Sequence, residues 1–294
     1  MKECALYEKI KPISSERVRC TACAHRCLIT KGKTGICAIR KNIDGKLYLM
    51  VYGKVVSKNI DPIEKKPLFH FLPHSYSYSI GTFGCNFRCG FCQNYDISQF
   101  KETESYLEGI FGEIAEPSKI VEEAIRTKCR SISYTYNEPT IFIEFVKDIA
   151  ELAKKKGLKN VLVTNGYMTH ECLEFIAPYV DAMNIDLKSF TNEFYLKNCG
   201  AKLEPVLESI KLAHEKGIHI EITTLLIPGE NDSETELENM AKFIASVDKN
   251  IPWHISRFFP MYKMLDKETT PYERMKIAEK IGKKYLKYVY LGNI

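Results

Sequence analysis

Apolar and β-branched residues occur along this chain in short runs that alternate with longer amphipathic stretches. From Ser77 onward, six of these runs are strand-like, and a loop and a helical pattern separate each from the next. Pro117 and Ser118 precede one helical stretch and Gly157 follows the next, which are typical start and stop signals. The strand-like runs are 77–83, 131–136, 160–164, 182–187, 219–226 and 254–258, and the clearest helical stretches are 118–128, 140–156, 204–216 and 233–247.

Repeated strand, loop and helix units predict an α/β protein with a parallel sheet. The most economical arrangement is an open (βα)6 partial TIM barrel, and a doubly wound sheet is the alternative. A further apolar run at 285–291 ends almost at Ile294. We expect a C-terminal tail to be missing after this run, with a natural terminus as the alternative.

The first part of the chain has a different pattern, dense in cysteine and turn residues. Cys20, Cys23, Cys27 and Cys37 have C-x2-C-x3-C-x9-C spacing, which suits a closed tetrahedral zinc site or a four-cysteine auxiliary cluster. A closed site is usually structural, and an electron relay or free thiols are the alternatives. We therefore expect a small Cys-rich metal-binding domain with its connector at 1–74, followed by a larger domain at 75–294.

The connector at 59–71 is punctuated by proline and rich in charged and aromatic residues. Its core, 61–68, reads Asp-Pro-Ile-Glu-Lys-Lys-Pro-Leu. Such a segment either helps to hold a macromolecular substrate or acts as a structural clasp between the two domains.

Three cysteines directly follow the first strand-like run. Cys85, Cys89 and Cys92 have C-x3-C-x2-C spacing, and soft thiolates at this density select an iron–sulfur cluster or zinc. No fourth Cys follows at ferredoxin spacing, and the next His is His170. A four-iron cluster here would keep one iron free to bind a ligand. Three buried thiols or a three-ligand zinc site are the structural alternatives.

Polar residues also follow the later strand-like runs. Because the carboxyl ends of parallel strands meet at one edge, we expect these residues to lie close together. Glu138 is interpreted as a carboxylate that accepts hydrogen bonds from a ligand. The alternative is that it only places a negative charge at a helix N-terminus. His254 is interpreted as a buried, satisfied histidine, with ligand contact as the alternative. Tyr134 and Tyr136 are interpreted as core residues and, in the alternative, as hydrogen-atom relays.

The cluster-loop spacing, with Phe91 just before the third Cys, resembles that of the radical S-adenosylmethionine (SAM) superfamily. Strand ends at 137–139, 164–166 and 186–188 look like those of pyruvate formate-lyase activating enzymes. Nearly the whole chain is similar to the radical SAM enzyme of the AmmeMemoRadiSam system, through the N-terminal cysteines, 61–68, 85–94 and 252–260. Members of that family commonly continue past this C-terminal ending with a second cysteine pair.

This resemblance implies a 4Fe-4S cluster on Cys85, Cys89 and Cys92, with SAM bound at the free iron. It implies reductive cleavage of SAM to a 5′-deoxyadenosyl radical, which abstracts hydrogen from a substrate. A flavodoxin- or ferredoxin-type reductant is expected, and the substrate is a glycyl-radical-type protein, a peptide or a small molecule. The residues expected to contact SAM are Phe91, Asn137, Glu138, Thr164, Asn165, Asp186, Lys188 and Arg257.

Composition narrows the remaining alternatives. The 42 basic and 37 acidic residues give a net charge of +5 and are interspersed, which disfavours a zinc-dependent nucleic-acid binder. A non-catalytic iron–sulfur electron carrier is the other rival, and it requires a fourth cluster ligand.

No apolar run approaches the roughly 20 residues of a membrane helix, and the absence of a secretory segment predicts a reducing cytoplasm. Cys4, Cys129, Cys172 and Cys199 are interpreted as small buried hydrophobic residues.

Overall fold

The computed structural model describes residues 1–11, 16–99 and 112–294. Short strands fill the N-terminal part, and longer strands alternate with helices after it. The strands are β1 (Lys2–Glu3), β2 (Tyr7–Lys9), β3 (Val18–Cys20), β4 (Leu28–Ile29), β5 (Arg40–Ile43), β6 (Lys46–Leu49), β7 (Lys54–Val55), β8 (Ser57–Pro62), β9 (Tyr76–Gly81), β10 (Glu113–Ile114), β11 (Ser131–Tyr134), β12 (Lys159–Thr164), β13 (Ala182–Asp186), β14 (His219–Leu226), β15 (Trp253–Arg257) and β16 (Val289–Gly292).

The central sheet has the strand order β16-β15-β14-β13-β12-β11-β9-β8. All neighbouring strands from β9 to β16 in this order are parallel, and only β8 runs antiparallel, with Asp61 opposite Ser77. The strands are buried along most of their length, and buried polar side chains such as Ser77, Ser133 and Asn184 occur among the apolar ones. The predicted α/β architecture with a central parallel sheet is confirmed, and β8 adds an antiparallel edge that the connector pattern did not indicate.

Helices cover the outer face of this sheet with their apolar sides. In the helix Pro117–Arg126, for example, Ile120, Val121 and Ala124 are buried, and most of the remaining side chains are polar. Thr169 and Ser233 cap two helices by accepting hydrogen bonds from the third following backbone N–H. The helices are α1 (Tyr95–Ser98), α2 (Pro117–Arg126), α3 (Ile143–Lys155), α4 (His170–Ile176), α5 (Asn192–Phe194), α6 (Glu204–Glu215), α7 (Glu234–Asp248) and α8 (Tyr272–Gly282).

The segment between β8 and β9 packs against the inner face of the sheet. We call residues 63–71 the floor segment, because Ile63 and Leu68 are fully buried against Val161 and Ala182. The Asn184 amide donates a hydrogen bond of 2.7 Å to the Pro67 carbonyl. The backbone N–H groups of Phe69 and His70 donate to the buried carboxylate of Glu221. The expected connector therefore closes one end of the space inside the sheet.

The N-terminal strands share one continuous apolar core with the main sheet. Arg40 of β5 forms a buried ion pair with Glu144 of α3, at 2.5 Å. The hydroxyl of Thr169 donates to the Thr21 carbonyl at 2.5 Å. Because β8 belongs to the large sheet, the expected division at residue 74 falls after that sheet has begun. No helix in the described residues is long and apolar enough to span a membrane.

Candidate active site

A cavity of about 530 Å³ opens at the carboxyl edge of the parallel strands. This volume lies within the range typical of small-molecule sites. All but one of the residues expected to bind the cluster or SAM contribute to its wall, and Arg257 does not. The expected residues that line the cavity are Cys85, Cys89, Cys92, Phe91, Asn137, Glu138, Thr164, Asn165, Asp186 and Lys188.

The three cysteines of the loop after β9 line this cavity from one side. Within the described residues, no group of three or more His, Cys, Asp or Glu side chains is placed to hold a metal ion. Cys85 Sγ accepts from the Phe87 N–H at 3.4 Å, and Cys92 contacts the Ser98 hydroxyl. Cys89 contacts the Cys199 thiol, so each of the three thiols has a different neighbour in this arrangement.

The chemistry of this thiol set nevertheless fits an iron–sulfur cluster. Burial raises the pKa of Cys85 and Cys92, and the neighbouring thiol of Cys199, together with burial, raises the pKa of Cys89. Buried thiolates need nearby positive charge, and bound iron supplies it. Three cysteines on one short loop, facing one cavity, provide the soft ligands that iron requires.

Asn137 holds the backbone of the cluster loop in place. Its amide nitrogen donates to the Gly84 carbonyl at 2.9 Å and to the Thr82 hydroxyl at 3.0 Å. Its amide oxygen accepts from the Thr82 N–H at 3.1 Å. Gly84 has a φ of +88°, which permits the sharp turn before Cys85. Asn137 therefore positions the loop directly, a role that the strand-end pattern alone did not specify.

Glu138 links the ends of two neighbouring strands. Its Oε1 accepts from the Thr140 hydroxyl at 2.5 Å and the Thr164 hydroxyl at 2.7 Å, and its Oε2 accepts from the Asn165 N–H at 2.8 Å. Burial raises the pKa of Glu138, and these hydrogen bonds oppose that shift. Oε2 has only one of these bonds, so it retains acceptor capacity toward a cation in the cavity.

Asp186 and Lys188 form an ion pair of 2.8 Å at the end of β13. Burial opposes the charge on Lys188, but the nearby Asp186 and Cys89 raise the pKa of its ammonium well above the usual range. The ammonium also lies 5.6 Å from the ring centroid of Phe91. This arrangement places a permanent cation beside the cysteine loop.

The N-terminal cysteines surround a second, much smaller cavity. Cys20, Cys23, Cys27 and Cys37 line a space of about 10 Å³, together with His25. That volume is close to one water-sized atom. The four predicted residues are thus brought to one place, although they too are outside the close ligand geometry of a formed metal site.

The two cysteine regions meet at Asn86. His25 Nε2 lies 2.8 Å from the Asn86 carbonyl oxygen, and the Asn165 amide donates to Asn86 Oδ1 at 2.8 Å. The Asn86 amide nitrogen is buried, has no hydrogen-bond partner within the described part of the chain and belongs to a residue that borders the small cavity. Asn86 is a site residue that spacing arguments missed, since its role depends on contacts with distant segments.

The burial and the hydrogen-bond partners of the remaining predicted residues show which of them reach the cavity. Arg257 donates to the Thr270 carbonyl at 2.7 Å instead of reaching the cavity. His254 is buried and bonds to Glu221 at 2.6 Å, as interpreted from the sequence. Tyr134 is a core residue, whereas Tyr136 lines the cavity. The burial of Cys4, Cys129, Cys172 and Cys199 is confirmed.

Cys199 lies directly behind the cluster loop. Its carbonyl accepts from the Arg88 N–H at 2.8 Å, and the Asn198 carbonyl accepts from the Gly90 N–H at 3.1 Å. These two bonds place Cys199 against Cys89. Cys199 is fully buried and is not part of the cavity wall. Cysteine spacing could not indicate this contact, because Cys89 and Cys199 are far apart in the chain.

A parallel α/β sheet with a three-thiol loop and an acidic strand end at its carboxyl edge defines a class of cluster-binding enzymes. The sequence profile of the Radical SAM superfamily matches residues 79–244, more than half of the chain. The chain therefore belongs to the radical SAM superfamily, and SAM and a 4Fe-4S cluster are the cofactors that this family implies.

Three relatives illustrate this membership. A Methanocaldococcus jannaschii protein of uncharacterised function is 46% identical over 100% of this chain and 86% of its own length. A second M. jannaschii protein, provisionally named a glycyl-radical enzyme activating enzyme, is 31% identical over 71% of this chain and 77% of its own. Pyruvate formate-lyase 1-activating enzyme of Escherichia coli is 22% identical over 58% of this chain and 71% of its own.

Solved structures support the fold. A radical SAM methyltransferase from Sphaerobacter thermophilus has a TM-score of 0.58 and 15% identity, covering 75% of this chain and 67% of its own. SuiB of Streptococcus suis, bound to its precursor peptide SuiA, has a TM-score of 0.55 and 15% identity, covering 78% of this chain and 51% of its own. At these identities the comparison concerns the fold alone.

Proposed function

We propose that this protein cleaves SAM reductively at a 4Fe-4S cluster held by Cys85, Cys89 and Cys92, for hydrogen abstraction from a substrate. The bound cluster and SAM together supply the electron transfer and the 5′-deoxyadenosyl radical. The observation that carries the proposal is that these three cysteines and the acidic strand end at Glu138 line one cavity. The central parallel sheet supports an open (βα)6 partial TIM barrel as the fold of such an enzyme.

Polar residues at the strand ends around the cavity bind and orient SAM in this proposal. Glu138 Oε2 accepts from the SAM ammonium, because that oxygen retains acceptor capacity. Thr164 and Asn165 are held by Glu138 and contribute polar contacts at the neighbouring strand end. Lys188 holds its positive charge beside Phe91 and contacts the SAM carboxylate, with Asp186 fixing the ammonium. Arg257 is left without a direct role here, since its guanidinium is bound elsewhere.

For the N-terminal site we propose a single zinc ion held by Cys20, Cys23, Cys27 and Cys37. The small cavity suits one ion better than a cluster of eight atoms, and four thiolates complete the tetrahedral set that zinc prefers. This site and its connector form a small structural unit, corresponding to residues 1–74, that supports the cluster loop. Iron without zinc at this site would overturn this assignment.

Similarity to activating enzymes supports a flavodoxin- or ferredoxin-type reductant and a glycyl-radical-type protein or peptide as substrate. The rival function is an iron–sulfur electron carrier, which requires a fourth cluster ligand. The thiol of Cys199 lies against Cys89, and this observation is the one that favours the rival. Cys199 does not line the cavity that the other three thiols share, which favours the enzyme.

The test is anaerobic reconstitution with iron and sulfide, followed by reduction in the presence of SAM. Formation of 5′-deoxyadenosine that disappears in Cys85→Ala supports the proposal. The Cys199→Ala variant is the matched control and is expected to retain both the cluster and the activity. If the wild-type cluster forms but SAM neither perturbs its electron paramagnetic resonance spectrum nor is cleaved, the electron carrier becomes the better assignment.

A further inference from the structure

Two lysines of the floor segment line the cavity together with the cysteine loop. Lys65 and Lys66 both contribute to its wall. The ammonium of Lys66 is buried, with its side chain 2% exposed, whereas the Lys65 side chain is 65% exposed. The resemblance to known enzymes assigns no role to either lysine. Because both lysines line the cavity, the negative groups that neutralise their ammonium groups have to be identified.

Lys65 and Lys66 share a single carboxylate beside the cavity, that of Asp61. Asp61 accepts hydrogen bonds from Lys65 at 2.9 Å, from Lys66 at 2.6 Å and from the Tyr136 hydroxyl at 2.7 Å. One carboxylate therefore faces two ammonium groups. Although burial opposes it, these three donors hold the pKa of Asp61 well below its usual range. Burial lowers the pKa of Lys66, since Asp61 compensates its charge only in part and Lys65 repels it.

The other acidic side chains of the cavity wall do not supply the missing negative charge. Among the described residues that line the cavity, Asp186 is paired with Lys188, and Glu138 accepts from residues at the two strand ends that it links. Each of these carboxylates is engaged in a separate group of contacts. The excess positive charge of Lys65 and Lys66 is thus left for a ligand to neutralise.

One further observation indicates a ligand in this cavity. Thr223 lines the cavity and is 8% exposed, and its hydroxyl has no hydrogen-bond partner among the described residues. Buried hydroxyls without partners are costly, and a bound polar group would satisfy this one.

We propose that Lys65 and Lys66 bind an anionic group of the substrate, a carboxylate or a phosphate. This inference rests on the proposed radical SAM function and names the chemistry that its substrate carries. Ile63 and Leu68 close the floor, so the ligand enters from the edge that holds the cysteine loop. Anchoring the anionic end at the floor extends the rest of the molecule toward the cluster loop, beside which the proposed 5′-deoxyadenosyl radical would abstract hydrogen. Binding energy from a remote group then positions the reacting carbon.

Equilibrium dialysis of the reconstituted full chain with saturating SAM tests this site, using radiolabelled inorganic phosphate and succinate as separate probes. We expect saturable binding of at least one probe, weakened about tenfold or more by Lys65→Gln and by Lys66→Met, as for loss of a charge-assisted hydrogen bond. The matched control is Lys155→Gln. Lys155 also pairs with a carboxylate four residues earlier at 2.9 Å and is 64% exposed, but it lies outside the cavity.

The probe that binds identifies the anion, because phosphate and succinate differ in their charged groups. The inference is wrong if neither probe binds, if Lys65→Gln binds as the wild type does, or if the probe competes with SAM. Lys65 is exposed, so its variant tests the site even where Lys66→Met fails to fold. If no probe binds but 5′-deoxyadenosine forms normally, only this inference is wrong. If SAM is not cleaved, the proposed function is wrong.

Discussion

His25 Nε2 lies 2.8 Å from the carbonyl oxygen of Asn86, so the N-terminal cysteine region touches the residue directly after Cys85. Arg88 strengthens this junction by donating to the carbonyls of Ile36 and Cys85. Two cysteine loops that are far apart in the sequence are thus held together through their backbones. The geometry of one loop is expected to influence the other, even when their metal contents are chemically distinct.

The first prediction concerns the independence of the two metals. Cys89→Ala removes one of three thiols at the main cavity, so iron bound there is expected to fall to background while zinc at the N-terminal site remains. Metal analysis of the reconstituted protein measures both. Cys199→Ala is the control, because it removes the neighbouring thiol without removing a proposed ligand. Loss of both metals together in Cys89→Ala would show that the division into two sites is wrong.

The second prediction concerns Gly84, the residue before the first cysteine of the cluster loop. A Cβ at this position would lie 2.6 Å from the Cys37 carbonyl oxygen, and the φ of +88° is itself unfavourable for alanine. Gly84→Ala is therefore expected to displace the loop and reduce the iron content severalfold. Iron analysis and thermal unfolding measure the two effects separately.

Gly157→Ala is the matched control for Gly84→Ala. Gly157 has a similar φ of +79°, but a Cβ there meets nothing within 4 Å. Its substitution is expected to cost about 1 kcal/mol of stability from backbone strain and to leave iron binding intact. Equal iron loss in both variants would mean that strain alone, and not contact with Cys37, determines the effect.

The sequence predicted the parts of the site that depend on local patterns. Apolar runs located the parallel strands, and residues at or just after the ends of those runs, such as Asp186 and Glu138, do reach one cavity. This works because parallel topology brings the carboxyl ends of the strands to one edge. Arg257 shows the limit of that argument. It ends β15, yet its guanidinium bonds to the Thr270 carbonyl, a contact that no strand pattern encodes.

Contacts between distant segments were beyond the sequence argument. Residues 59–71 looked like a connector because of their prolines and charges, whereas part of this stretch forms the antiparallel strand β8 and the rest closes the cavity. Cys199 looked like an ordinary buried thiol, and only its backbone contacts with the cluster loop place it beside Cys89. Such pairings depend on tertiary packing and leave no periodic signal in one sequence.

The third prediction concerns the ion pair between Arg40 and Glu144, whose side chains are 2% and 4% exposed. Removing one partner leaves the other charge buried and uncompensated, so Arg40→Met is expected to lower the free energy of unfolding by about 3–5 kcal/mol. Chemical denaturation measures this loss. Arg26→Met is the control, since Arg26 pairs with Glu171 on the surface at 2.8 Å and its removal should cost about 0–1 kcal/mol. Similar losses in both variants would contradict the role assigned to burial.

The fourth prediction concerns the pH dependence of stability through Glu221, which secures the floor segment. Burial disfavours its carboxylate, but hydrogen bonds from His219, His254 and the backbone N–H groups of Phe69 and His70 lower the pKa of Glu221 to about 2. The unfolded chain has the ordinary value near 4.5. Because the folded value is depressed, this carboxylate stabilises the protein above pH 4.5 by up to about 3 kcal/mol, and that contribution is lost as the pH falls toward 2.

Urea unfolding between pH 7 and pH 3 measures this contribution in the wild type and in Glu221→Gln. The variant is expected to be less stable at pH 7 and to lose less stability on acidification, so the two curves should approach each other below pH 4.5. Glu8→Gln, which changes an exposed carboxylate on β2, should give a curve nearly parallel to the wild type. If the Glu221→Gln curve also runs parallel to the wild type, the hydrogen bonds from the floor segment do not depress the pKa of Glu221. The floor would then have to be held mainly by the apolar contacts of Ile63 and Leu68 with the inner face of the sheet.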